Sequence, residues 1–326
     1  MTPRRPKRRR SVLAAALATA LLTPVPAAAA DAGRLQGTGT GTRTGRALCS
    51  ADRDRTLAAR MSQDIRAALA NRAGTVSIAV YDTRTGVVCR LANHRRYDAA
   101  SIAKVLMMEA TLRRAQSWRR GLTAWERAKI RPMITRSDNE AARRLWADLG
   151  RACLNRLLRR AGTTRTTPGS RGYWGLTATT AADQLRLLRA LADDRRGVLG
   201  PRSRAYGLRQ MAAVRRDQRW GVPAGMPRGI RAHLKNGWLP RARHGWRVHS
   251  IGTFTGDGRS YRMAILTHDN PSMAYGVRTV ERVAQAVHRN LNKGRAIGQD
   301  FTPESEISEV PDGSAPAERQ SEDPAA

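Results

Sequence analysis

Lysine is scarce in this sequence. Of 59 basic residues only five are Lys, namely Lys7, Lys104, Lys129, Lys235 and Lys293. Arg stays protonated in proteins whereas Lys can lose its proton, so each Lys in an Arg-rich chain invites a chemical reason. Acidic residues are also few, 26 in all, and the formal net charge is +33. Cysteine is limited to Cys49, Cys89 and Cys153. Outside the cytoplasm that odd number fits one disulfide plus a spare thiol, and three pairings are open. No two cysteines have metal-site spacing, and the six His are scattered with no His-x-x-x-His pair, so neither a metal site nor a cofactor is expected. Long apolar runs are missing as well. The stretch from Val12 to Leu22 is too short for a comfortable membrane span, and no later one reaches the required length.

What is present divides the chain into four parts. Residues 1–30 carry a basic cluster from Arg4 to Arg10, the short apolar run, and Ala28-Ala29-Ala30 as a small-residue cleavage site. This is the pattern of a secretory signal, so the protein is expected outside the cell or at the wall after cleavage near Ala30. Residues 31–50 read as a flexible leader rich in Gly, Thr and Arg. Residues 51–293 hold the globular domain. Residues 294–326 read as a disordered acidic tail, with eight acids and one Arg from Asp300 onward. The body is therefore more basic than the whole chain. Such a surface should associate with anionic wall polymers or lipid headgroups. It would hold nucleic acid only non-specifically, since no nucleic-acid motif is present. A compositional preference for Arg on solvated faces explains the same charge equally well.

Within the domain, Leu57, Met61, Ile65 and Leu69 recur at helical spacing. Val76, Ile78 and Val80 alternate as in a strand, and Thr85-Gly86 turns the chain into a second strand, Val87 to Leu91. A helix starts near Ser101. Residues 123–192 are largely helical, with Thr123 and Glu126 spaced as a capping box and Gly150 ending one helix. Three strands follow, over Ile230–Trp238, Arg247–Phe254 and Tyr261–His268, the last two joined at Gly256-Asp257-Gly258. A helix over residues 276–292 closes the domain. Strands from both ends should join, giving an α+β fold: an antiparallel five-stranded sheet flanked by helices, with a helical lobe and a cleft between.

Three short motifs carry chemistry. Ser101-Ile102-Ala103-Lys104 places a hydroxyl and an amine on one face of a helix start, where free backbone N–H groups and the positive dipole end also point. That arrangement can build a nucleophile with its own base. A Ser capping a core helix, with a Lys reaching solvent, is the plainer reading of this motif alone. Ser137-Asp138-Asn139 precedes a helix and could be a simple cap. Lys235-Asn236-Gly237 lies inside a strand, just before Trp238.

Together and in this order, the motifs resemble those of the penicillin-recognising serine hydrolases. These are the class A β-lactamases and the penicillin-binding transpeptidases or carboxypeptidases, with Ser-x-x-Lys, Ser-Asp-Asn and Lys-Thr-Gly. The resemblance covers roughly residues 52–292. It implies that Ser101 attacks a carbonyl to form an acyl-enzyme. Lys104, if desolvated and near Lys235, would give up its proton readily enough to serve as base. Ser137 would pass that proton to the leaving nitrogen, with Lys235 polarising it. The backbone N–H groups of Ser101 and Trp238 would form the oxyanion hole. Asn139, Asn236 and Gly237 would bind substrate, with Asn236 standing where the family has a carboxylate-binding Thr.

Two departures bear on the reaction. Class A β-lactamases deacylate with a Glu on the loop after the helical lobe. Here that loop is Ala161 to Thr177, and no Asp or Glu occurs between Asp148 and Asp183. The spacing from Ser101 to Ser137 is also shorter than in class A, which suits an open cleft and a peptide or polymeric substrate. The expected protein is a monomeric secreted serine hydrolase acting on an amide, peptide or ester, with a cell-wall D-Ala-type peptide as first candidate. A weak β-lactamase using another base, and a non-catalytic wall-binding protein on the same scaffold, are the alternatives. Of the tryptophans, Trp174, Trp220, Trp238 and Trp246 could border the cleft; ordinary packing is favoured for Trp220 and Trp246.

Overall fold

In the computed structural model, which describes residues 47–193, 197–298 and 314–315, the chain begins with a two-residue strand β1 (Cys49–Ser50) and helix α1 (Arg55–Leu69). The hairpin β2 (Thr75–Asp82) and β3 (Val88–Leu91) follows. Strand β4 (Tyr97–Asp98) leads through a 3-10 turn, Ala100–Ile102, into α2 (Ala103–Ser117). The middle comprises α3 (Ala124–Thr135), α4 (Asn139–Ala161), β5 (Ala178–Thr179), α5 (Ala181–Ala192) and α6 (Pro201–Ala212). Strands β6 (Arg231–Pro240), β7 (Trp246–Gly256) and β8 (Arg259–Asn270) precede α7 (Met273–Leu291). The expected signal segment lies outside the described residues, as do the leader up to residue 46 and the acidic stretch from residue 299, Ser314 and Ala315 excepted. No described helix is long and apolar enough to cross a membrane.

The fold is α+β, as the order of elements predicts. The main sheet runs β1-β3-β2-β8-β7-β6, with every neighbouring pair antiparallel. It has six strands, one more than expected. The extra strand is β1, at the edge beside β3, where Cys49 faces Cys89 and is disulfide-bonded to it. Two residues are too few to leave an alternation pattern, so β1 falls inside the stretch 31–50 read as leader. Cys153 is the free thiol and is buried. At the other boundary the packed chain runs a little past residue 293: Ile297 bridges Pro227, and Gly298 N–H donates to Met226 O.

Local chemistry sets the elements. Asp54 caps α1, and Leu57, Met61 and Ile65 form its buried stripe. That stripe packs beside α7, whose Val277, Val280, Val283 and Val287 face the core. The β7–β8 turn uses Asp257 and Gly258 between the paired Gly256 and Arg259, and both turn residues have positive φ (45° and 70°), the conformation that an Asp-Gly hairpin turn requires. In the helical lobe the capping box is present in full. Glu126 N–H donates to Thr123 Oγ1 (3.1 Å), and Thr123 N–H donates to Glu126 Oε2 (2.8 Å). Gly150, at φ 63° and ψ 162°, breaks α4 where the sequence marks a helix end. Between sheet and lobe lies α2. All its residues from Ala103 to Leu112 are buried, which is the mark of a central helix rather than a surface one.

Candidate active site

The start of α2 is pressed against the middle of β6. The contact is made through Gly237, whose backbone lies over the Ala100–Ile102 turn. A Cβ added there would come within 2.7 Å of Ser101 N and 2.9 Å of Ile102 N. Glycine is needed at this point for close approach of two backbones. Strand alternation puts Lys235 on the same face as Gly237 and Asn236 on the opposite one. Two non-glycine residues of the site, Ala100 (φ 46°) and Ser137 (φ 58°), hold left-handed backbone conformations. Each costs on the order of 1–3 kcal/mol, and such strain collects at functional sites.

Four oxygens surround the Lys104 amine. Nζ lies 2.8 Å from Ser101 Oγ, 2.7 Å from Ser137 O, 2.9 Å from Ser137 Oγ and 2.7 Å from Asn139 Oδ1. Ser137 Oγ is in turn 3.0 Å from Ser101 Oγ. Ser101, Lys104 and Lys235 are fully buried. Asp138 caps α4 by accepting from Ala141 N–H (2.7 Å), and this orients the residues on either side, Ser137 and Asn139. The cap reading and the site reading of Ser137-Asp138-Asn139 therefore hold together: the aspartate caps, and its neighbours face the lysine. Lys235 Nζ donates to Asn236 O (2.8 Å). Trp238 follows Gly237 along β6, with its ring edge-on to Trp220 at 5.9 Å.

A model described as the β-lactamase enzyme family matches residues 60–124 and 127–291. The chain belongs to this family. A relative from Mycobacterium tuberculosis, named as the lipoprotein LppW, is 31% identical over 199 residues, covering 59% of this chain and 62% of LppW. The LppW of Mycobacterium bovis gives the same figures. The chain thus spans about 62% of the length of these relatives. Among solved structures, a class A β-lactamase from Bacteroides cellulosilyticus superposes with a TM-score of 0.63 at 16% identity, covering 72% of this chain and 97% of that one. PBP-A superposes with a TM-score of 0.62 at 20% identity, covering 72% and 96%. These likenesses establish the class A fold.

Against that family pattern, Asn236 departs from its expected role. Its amide is buried on the face of β6 opposite Lys235 and Gly237. The two N–H groups donate to Gln218 O and Trp220 O, both at 2.9 Å, and Oδ1 accepts from Ser250 Oγ at 2.6 Å. Both donors and one lone pair of the acceptor hold the loop before β6 to β7, a structural role in place of the carboxylate contact expected of the family's Thr. The reason was hidden in the sequence because the partners lie 14–18 positions away.

The loop from Ala161 to Thr177 carries no carboxylate, and the group it places at the lysine is an indole. Trp174 is buried, with its ring centroid 4.6 Å from Lys104 Nζ. The first acid after the loop, Asp183, is fully buried. Its carboxylate accepts from Thr164 N–H, Arg165 N–H and Thr166 Oγ1 and pairs with Arg186, which pins the loop instead of facing the serine.

His249 is a residue that motif reading misses. It lies opposite Gly237 in the β6–β7 ladder. Its Nε2 is 2.9 Å from Asp98 O, and its Nδ1 accepts from Thr267 N–H. Burial pushes it down to about 3, so the ring is neutral and ties β7 to the strand just ahead of Ser101. Its sole sequence signal is a lone His in an apolar strand. Among the described residues, the one cluster with metal-ligand chemistry is His244, His268 and Asp269. Its carboxylate is already engaged by both imidazoles and by Thr75 Oγ1.

Proposed function

We propose that this protein is a secreted serine acyl-enzyme former, acting on an amide, peptide or ester, with a cell-wall D-Ala-type peptide as the substrate class. The supporting observation is the placement of Lys104 Nζ within 2.9 Å of both hydroxyls, Ser101 and Ser137, in a buried pocket. An ammonium has three N–H groups for four oxygens. Two of those oxygens, Ser137 O and Asn139 Oδ1, can only accept; in the base form required for the first step the two N–H groups of the amine go to them and its lone pair faces the Ser101 hydroxyl. In the first step Ser101 Oγ attacks the substrate carbonyl and its proton moves to Lys104. The Trp174 ring face then lies against a newly formed ammonium, a favourable cation–π placement. Ser137 Oγ relays the proton to the leaving nitrogen, with Lys235 supplying positive charge nearby. The oxyanion forming on the carbonyl is assigned to the backbone N–H groups of Ser101 and Trp238, and Asn139 holds the substrate amide.

Deacylation is the slow half of this reaction. In place of a carboxylate that could activate water, the 161–177 loop offers the Trp174 indole, which also covers one side of Lys104. An acyl group on Ser101 is therefore long-lived toward water and available to an amine acceptor. β-Lactams acylate on this reading, and their hydrolysis is slow. The LppW name, lipoprotein, fits a place at the cell envelope, and the basic body fits contact with anionic wall polymers.

Labelling with a fluorescent penicillin and a fluorophosphonate tests the assignment. Wild-type protein takes up label from at least one probe, and Ser101→Ala takes up none. Absence of label from both probes on wild type leaves the non-catalytic wall-binding reading in possession.

A further inference from the structure

Beside the Lys104 pocket a groove runs between the first half of α4 and the loop before β5. Asn139, Arg143, Trp146, Arg171, Tyr173 and Trp174 line it. Ser314 and Ala315, from the acidic stretch beyond Asp300, lie in this groove. Gly175 N–H donates to Ser314 O at 3.0 Å, and Ser314 is only 3% exposed. Gly175 itself is accounted for by this contact. Its φ is not in the left-handed region, so its backbone does not call for glycine. The three nearest atoms a Cβ there would meet all belong to Ser314, at 2.1 Å (Oγ), 2.4 Å (O) and 2.5 Å (Cβ). The glycine leaves room for the segment that rests on it.

We infer that this groove is a docking surface for an extended chain of small residues with acidic neighbours, and that its occupant is the protein's own 300–326 segment. Three properties match. The described residues at the contact, Ser314 and Ala315, are small enough for a narrow seat. The segment has eight acids and one Arg, while the groove carries Arg171 and Arg143, the latter paired with Glu140 of the same lining, which leaves the groove one positive charge in excess. The seat also joins the reactive pocket at two points: Asn139 Oδ1 touches Lys104 Nζ, and Trp174, next to the seated Gly175, covers the same amine. A chain held there occupies the cleft rim, where a peptide strand of a polymeric substrate would lie. Occupancy in cis therefore competes with substrate for Ser101. That last step rests on the proposed role of Ser101, whereas the docking does not.

Two measurements on the full chain separate these statements. Hydrogen exchange is followed at residues 173–177 in wild type, in Ser314→Trp, whose side chain has no room beside Gly175, and in Gly175→Ala. Docking predicts that protection of the Gly175 amide falls about tenfold in Ser314→Trp, the scale of one lost hydrogen bond. It predicts similar loss in Gly175→Ala at residues 174–176, while the exchange of α2 is unchanged. Equal protection in wild type and Ser314→Trp overturns the docking. In parallel, the rate of fluorescent-penicillin labelling is compared between wild type and Ser314→Trp, and the variant is expected to label several-fold faster. Faster exchange with an unchanged labelling rate overturns the competition and leaves the docking standing. Absence of labelling in both chains overturns the reading of Ser101, and with it the competition, while hydrogen exchange still decides the docking.

Discussion

Replacing Asn236 by Thr restores the residue that the family pattern carries at this position, and the account predicts that the change is harmful. Asn236 Nδ2 donates to Gln218 O and Trp220 O, and Oδ1 accepts from Ser250 Oγ. A threonine hydroxyl has one donor and a shorter reach. Ser250 can still donate to it, and the carbonyl of Gln218, on the wetter side, can turn to water. The Trp220 carbonyl is buried and is left without its partner. An unsatisfied buried group costs about 1–3 kcal/mol and a lost hydrogen bond about 1 kcal/mol, so the loss comes to about 2–4 kcal/mol. For a domain of this size that lowers the melting temperature by about 5–15 °C. The measurement is thermal and urea unfolding of wild type and Asn236→Thr, with penicillin labelling at a temperature where both are folded. Labelling rates are expected to agree. A melting temperature within about 1 °C of wild type, together with faster labelling, would refute the structural assignment and return residue 236 to the substrate site.

Other outcomes follow from the same geometry. Lys104→Arg keeps the charge but cannot accept a proton, so Ser101 labelling should be abolished; near-normal labelling would remove Lys104 as base. Gly237→Ala drives a Cβ into the backbone at Ser101 and Ile102, which has no flexible side chain to yield. It should cost about 1–3 kcal/mol in urea unfolding and most of the labelling rate, and wild-type values for both would contradict the close approach. Burial pushes His249 down to about 3 and His288 down to about 4. Well above pH 6.5 both are neutral whether folded or unfolded, so their contribution to stability is full there. Below 6.5 the unfolded chain takes up protons that the folded chain refuses, and stability falls until the folded values near 4 and 3 are reached. From pH 6.5 to 5 the pair should cost about 3 kcal/mol, read from urea midpoints; a flat profile across that window would contradict it.

The features legible in the sequence are those whose causes are local. The capping box at Thr123 and Glu126, the Asp257-Gly258 turn and the helical stripe of α1 each depend on residues a few positions apart. The Ser-x-x-Lys and Ser-Asp-Asn motifs are legible for the same reason, because one helix start positions each of them. What stayed hidden depends on chain returning from a distance. Asn236 faces a loop 16–18 positions back, Trp174 reaches Lys104 across the lobe, and Ser314 explains Gly175 from far along the chain. The missing carboxylate on the 161–177 loop was visible as an absence and Trp174 as a residue that could border the cleft, but its place over the Lys104 amine was not legible.

The central claim is that Ser101 takes up an acyl group readily and releases it to water slowly. Intact-mass spectrometry after brief exposure to benzylpenicillin, followed over hours once excess drug is removed, addresses both halves. The account predicts a single adduct on wild type, carried by Ser101, persisting over that period and absent from Ser101→Ala. An adduct that forms equally on Ser101→Ala, or one that clears within seconds, would contradict it.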